Sequence, residues 1–235
     1  VAAVSTTLAN PLAKFGWTSN VLAWIAAMHD VGKADSRFQY QVNDFWEQLA
    51  GAGFKETADP KCRHERMSAT FLTTLLSGRG VDKRTLDSLQ RAVVAHHGYW
   101  CEGATASSDG YRHAQEELAE MVAQVLGVEN LEFPIPQNQS SLGMRLAGHI
   151  VLSDWIASNE EFFLDEMLRG IDEPKAYFKA SQKVAQKHVA RLKLEPTERV
   201  GKPDQVVCKP RPLQKALLDN DIPPGLVIIE APMGE

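Results

Sequence analysis

His29-Asp30, His64, His96-His97 and Asp154 are side chains able to hold a metal or move a proton, and each is set in apolar surroundings. Asp30 follows the apolar run of residues 23–28, AWIAAM. A carboxylate at the end of a core-facing helix costs several kcal/mol unless something pairs with it. Asp154 repeats the problem, because Leu142, Leu146, Ile150 and Asp154 recur at helical steps and put this carboxylate on an apolar stripe. A cation answers both. The ordered set His-Asp, His, His-His, Asp reads as a metal site, with Asp30 buried because a cation neutralises it. Nitrogen-rich ligation favours divalent Mn, Fe, Co, Ni or Zn over Mg or Ca. A carboxylate among imidazoles is placed to bridge two ions, and two ions about 4 Å apart can activate a water and stabilise both oxygens of an in-line phosphoryl displacement. Lys33, one turn on, has two readings: it steadies developing negative charge, or it complements the dipole at a helix C-terminus.

Such a set needs helices to carry it, and the periodicity supplies them. Helices are expected over 17–31 (capped by Ser19 or Asn20), 64–77, 83–97, 141–158 and 174–193, giving an all-α domain. Adjacent helical residues point about 100° apart. His96 and His97 therefore converge only where their helix ends, and Gly98 supplies that end; Gly32 does the same for His29-Asp30. In the last helix Lys179, Lys183, Lys187 and Arg191 form a basic ridge, read as a solvated face, with phosphate tracking or domain docking as the alternative. His113, His149 and His188 lack such company and read as structural. Phe38, Tyr40, Tyr99 and Trp100 read as core or rim, with stacking on splayed bases as the alternative.

The 235 residues suffice for one large domain, or for a domain and part of a second. A composition 44% hydrophobic and 23% charged is that of an ordinary globular protein, and the net charge of −5 excludes a surface that is basic all over. Cys62, Cys101 and Cys208 form no framework, which points to reduced thiols in a cytoplasm. No apolar run reaches the roughly 18 residues of a membrane span, and no signal peptide is visible. The first residue is Val1, so the chain reads as a piece of a longer protein. Four prolines mark residues 194–212 as a linker; a short helical piece follows, then a buried strand at 226–230 and a glycine-containing turn.

The stretches HDVGK, the lone His64, HHG and SDW follow the order of the HD superfamily of metal-dependent phosphohydrolases. With VAAV at the start, HDVGKADSRFQY, VLSDW, the RPLQ of 211–214 and PGLVIIEAPMGE at the end, the chain resembles the nuclease-helicase of type I CRISPR systems. That resemblance implies an HD-domain helical bundle over residues 1–193, the linker 194–212, and the first part of a superfamily 2 helicase domain over 213–235. It implies cleavage of single-stranded DNA with a metal pair, in antiviral defence. His29, Asp30 and Asp154 would hold one ion; Asp30, His64, His96 and His97 would hold the other, with Asp30 and Lys33 as the catalytic pair. The parent enzyme is recruited at an R-loop by the Cascade surveillance complex with its crRNA, nicks the displaced strand and translocates with ATP. Gln214 and Gly234 would belong to the helicase nucleotide site. The sequence stops before the Gly-Lys-Thr that grips phosphate, so ATP and Mg are expected only in the longer parent. The family also carries a ligand histidine just before the VAAV-like stretch, ahead of Val1. Two other readings compete: an HD phosphohydrolase acting on nucleotides, and a non-catalytic, metal-stabilised docking module. RPLQ and VIIEAP speak against the first of these.

Overall fold

In a computed structural model of the chain, the described residues (1–41, 43–54, 63–97, 109–130, 133, 142–163, 168–192 and 215) form helices and turns, with no strand among them. Two compact units divide at Leu194, Val1–Leu194 and Glu195–Glu235. The expected linker, the strand at 226–230, Gln214, Gly234 and the three cysteines lie outside the described residues.

The first unit is built around α2 (Ser19–Met28). Val21 to Ala26 and Met28 are all buried, so this helix is apolar nearly all round and sits inside the bundle. Its start is fixed by Thr18, whose hydroxyl accepts from the Val21 N–H at 3.2 Å. The cap therefore falls one residue before the expected Ser19 or Asn20. Asn20 instead donates to the Leu126 carbonyl at 2.8 Å, and Trp24 Nε1 donates to the Ala119 carbonyl at 3.0 Å. Both bonds tie α2 to α7 (Asp109–Leu126). The helix also closes earlier than residue 31. His29 and Asp30 turn out of it, and Val31–Lys33 wind a tighter 3-10 turn.

That turn rests on α5 (His64–Gly78), which forms a hairpin with α6 (Lys83–Val94). Gly80 takes the left-handed conformation between them, and the Asp82 carboxylate caps α6 by accepting from the Arg84 and Thr85 N–H groups. Beyond α6 a 3-10 turn, Ala95–His97, carries both histidines past the helix end; Gly98 lies outside the described residues. α8 (Leu142–Ala157) packs on α6, on that turn and on α2. α1 (Ala2–Thr7) lies between α2, α8 and the last helix, α9 (Pro174–Leu192). A second apolar cluster of Ala3, Val4, Leu8, Ile156 and Ala185 joins α1, α8 and α9. Between α2 and α5 come the short helices α3 (Ser36–Gln39) and α4 (Asn43–Gly51). No described helix is long and apolar enough to cross a membrane.

A buried contact fastens α1 to α8: Ser5 Oγ lies 2.7 Å from His149 Nε2. Burial pushes the His149 imidazole down to about 4. The unfolded chain, with an ordinary histidine near 6.5, binds the proton first. Stability from this residue is thus present above about pH 6.5 and is lost as pH falls toward 4, by up to about 3 kcal/mol. Urea unfolding at pH 7 and pH 4.5 should show a fall that is clearly smaller in His149→Gln; an equal fall in both would remove His149 as its source.

Candidate metal centre

The centre lies where the ends of three helices come together with α8. His29 ends α2, His96 and His97 occupy the turn after α6, and His64 opens α5. Local backbone geometry orients two of the imidazoles. His29 Nδ1 lies 2.7 Å from the Ala26 carbonyl and His96 Nδ1 2.5 Å from the Val93 carbonyl. A carbonyl only accepts, so each Nδ1 carries a hydrogen and each Nε2 is the ring nitrogen turned toward the pit. Burial pushes His96 down to about 4, against the pull of the Val93 bond, which keeps the ring neutral at pH 7.

Asp30 reaches every side of the pit. Its Oδ1 lies 3.1 Å from His64 Nε2 and 3.6 Å from His96 Nε2. Its Oδ2 lies 3.4 Å from His29 Nε2 and 2.6 Å from Lys33 Nζ. Burial alone would raise this carboxyl, but the His64 contact, His29 and Lys33 together hold it well below the usual carboxylate range. Asp154 Oδ1, from α8, is 3.5 Å from His29 Nε2, and the His29 ring holds this carboxyl below its ordinary value too. Ser158 donates to the same oxygen at 3.0 Å.

Two groups of three emerge, His29-Asp30-His96 and His64-His96-His97, and within each group the ligand atoms all lie within 4.8 Å of one another. The groups share His96, and the two oxygens of Asp30 face both. Asp154 touches the first group through His29. His97 Nε2 lies 3.2 Å from His64 Nε2, so the two ring nitrogens can share a hydrogen bond or a common cation. The chemistry of the donors fits a metal on a separate ground. His29 Nε2, His96 Nε2 and Asp30 Oδ1 are buried without an aligned hydrogen-bond partner, and orphaned polar atoms of this kind are costly unless a ligand satisfies them. The floor is closed, with His29 and His96 buried, while the Lys33 side chain is 41% exposed and His97 faces solvent.

Gly32 and Ser68 also shape the centre and were not singled out as supports in the sequence. The Gly32 N–H donates to Ser68 Oγ at 2.8 Å, and Ser68 Oγ donates to the His64 carbonyl at 3.0 Å, fixing the turn against the start of α5. Glu65, buried, sets Oε2 3.7 Å from His64 Nδ1. The other histidines lie elsewhere: His113 beside Glu117 on the surface, His149 against Ser5, and His188 stacked on Phe162 at 4.5 Å. Phe38 stands edge-on to His64 at 5.3 Å, Tyr40 packs edge-on to Trp46, and Tyr99 and Trp100 lie outside the described residues. The basic ridge of α9 is exposed, and that helix holds no acidic residue.

An all-helical bundle that gathers histidines and aspartates from helix ends into one pit defines a metal-centred HD-type domain. Residues 2–163 match the family model described as the HD domain of Cas3, and the chain belongs to that family. It is 31% identical over 244 aligned residues to the CRISPR-associated endonuclease/helicase Cas3 of Thermus thermophilus, covering 91% of this chain and 25% of the relative. The chain thus spans about a quarter of the length of the curated relatives it matches. Its fold is that of the Thermus thermophilus Cas3 HD domain crystallised in the presence of Ni2+ (TM-score 0.57, 22% identity, 83% of this chain and 82% of that one). The fold also recurs in a chain of a CRISPR RNA-guided surveillance complex in a pre-nicking state (TM-score 0.64, 17% identity, 88% of this chain and 28% of that one).

Proposed function

We propose that this chain is the nuclease domain of a CRISPR interference enzyme, hydrolysing phosphodiesters of single-stranded DNA with two divalent transition-metal ions. The observation that carries the reading is Asp30 at the middle of the cluster, with Oδ2 toward His29 and Oδ1 toward His64 and His96. His29, Asp30 and Asp154 would hold one ion; Asp30, His64, His96 and His97 would hold the other. Bound there, such ions supply Lewis acidity, activating a water and neutralising charge on the phosphodiester oxygens. The protein's own part is to aim the donors and keep Asp30 ionised: the Ala26 and Val93 carbonyls fix two rings, and His64, His29 and Lys33 hold the Asp30 carboxyl below its usual range. The Lys33 ammonium, half in solvent at the open flank, is also placed to steady negative charge developing on the substrate. The open flank suits a polymer better than a small nucleotide, which needs enclosure for base-specific contacts. In the longer parent, relatives named endonuclease/helicase and the surveillance-complex likeness support ATP-driven translocation and recruitment by Cascade with its crRNA.

The test is cleavage of circular single-stranded DNA by the purified chain with Mn, Co, Ni or Mg added, using an Asp30→Ala/His96→Ala double variant as blank. Nicking that needs metal and is absent from the blank is expected, stronger with Mn, Co or Ni than with Mg. Metal binding without cleavage of any strand would favour a docking module over a nuclease.

A further inference from the structure

Trp155 is 70% exposed, whereas Trp17 and Trp24 are 2% and 1% exposed in the core. Exposure of one large apolar side chain carries little by itself; its position carries more. It follows Asp154, whose carboxylate lies 3.5 Å from His29 Nε2 at the metal centre. Its other neighbours, Ser153 and Ile156, are 0% and 5% exposed, so the register of α8 is fixed and the indole cannot turn inward without pulling them out. One residue on from Asp154, the indole leaves α8 about 100° round the helix from that carboxylate and faces solvent. Two turns back on the same line, a side chain at Gly148 would meet nothing within 4 Å, and Met144, one turn further, is 66% exposed. Met144, Gly148 and Trp155 thus lie along one exposed stripe of α8, about 16 Å from Met144 to Trp155. Across the pit, Phe38 flanks His64, with Lys33 Nζ 5.5 Å from its ring centroid.

We infer that Trp155 is a stacking platform for a base of single-stranded nucleic acid, seating the nucleotide next to the scissile phosphate. This rests on the phosphodiester-cleaving reading above and adds the substrate contact. A phosphodiester held by a metal centre leaves its neighbouring bases outside the pit, and an exposed indole one residue from Asp154 can accept any base, because every base has a π-face. The same chemistry disfavours duplex, whose bases are already stacked on one another. Trp155 acts on substrate binding and leaves the metal ligands untouched.

The experiment measures binding of a fluorescein-labelled oligothymidylate to the 235-residue chain in EDTA by anisotropy, then its cleavage with Mn. Trp155→Ala should bind about tenfold more weakly, and Trp155→Phe should recover most of the loss. An abasic oligomer of equal length should bind wild type and Trp155→Ala alike, and calorimetric Mn binding should be unchanged. Equal affinity of wild type and Trp155→Ala for the thymidylate strand overturns the inference, as does a wild type that does not prefer bases over abasic sugar. A wild type that binds with the expected Trp155 dependence but cuts nothing leaves the platform standing and overturns the nuclease reading instead.

Discussion

Asp30→Asn is expected to abolish metal-dependent cleavage while leaving the chain folded. The amide keeps the shape of the side chain and removes its charge. In the metal-free protein the loss is modest: Asp30 gives up an ion pair with a Lys33 that is 41% exposed, a kind of pair worth no more than about 1 kcal/mol. It also gives up the contacts to His64 and His29, which together with Lys33 outweigh the cost of burying this carboxylate. In the metal-loaded protein the loss is large. Oδ1 serves the His64-His96 side and Oδ2 the His29 side, so one substitution weakens both positions. Outer-shell partners of metal ligands are worth about 10–100-fold in affinity or activity, and a residue that itself faces both ions should cost at least about 100-fold. His97→Ala makes the contrast, since His97 belongs to one group alone. Calorimetry with Mn or Ni should find two ions in wild type, one in His97→Ala, and none held tightly in Asp30→Asn. Two ions retained by Asp30→Asn would end the bridging role.

The candidate centre was legible in sequence because its signal is local. His29-Asp30, His64, His96-His97 and Asp154 each interrupt an apolar pattern, and the structure gathers all of them at one pit. The helices that carry them were legible for the same reason, to within a few residues. The misses are those that local pattern cannot decide. Thr18, Ser19 and Asn20 are all good caps; Thr18 takes the place because Asn20 is drawn to the Leu126 carbonyl, far away in sequence. The Nδ1 anchors of His29 and His96 are backbone carbonyls, which leave no trace in side-chain identity. Trp155 reads as one more apolar residue on a helix until its neighbours' burial shows which way it faces. Gly32 was read as a helix terminator, but its real constraint comes from a different helix.

That constraint makes Gly32→Ala the substitution with the largest expected effect on the fold. A Cβ at Gly32 would overlap the His64 carbonyl oxygen and lie 2.8 Å from the Ser68 nitrogen and 2.9 Å from Met67 Cβ. Two of these are backbone atoms, so no rotamer change relieves the overlap, and the turn must part from the first turn of α5. Parting breaks the Gly32 N–H to Ser68 Oγ bond and loosens the Ser68 tie to His64. The cost is about 3 kcal/mol, the upper end of what overpacking one carbon does in a rigid core, or roughly 6–12 °C in Tm for a domain of this size. Gly148→Ala separates the effect from glycine chemistry in general. It lies in the interior of α8 with nothing within 4 Å of the added carbon, so it should gain about 0.5–1 kcal/mol from helix propensity. The two alanines thus move stability in opposite directions for a stated reason. Gly32→Ala should also weaken Mn binding, because His64 is the first residue of the helix it displaces and lies 3.1 Å from Asp30 and 3.2 Å from His97. Thermal unfolding of both variants, with and without Mn, reads all of this at once. A Gly32→Ala protein as stable as wild type and equally stabilised by Mn would mean that the turn and α5 are free to separate, and that the centre does not depend on their close approach.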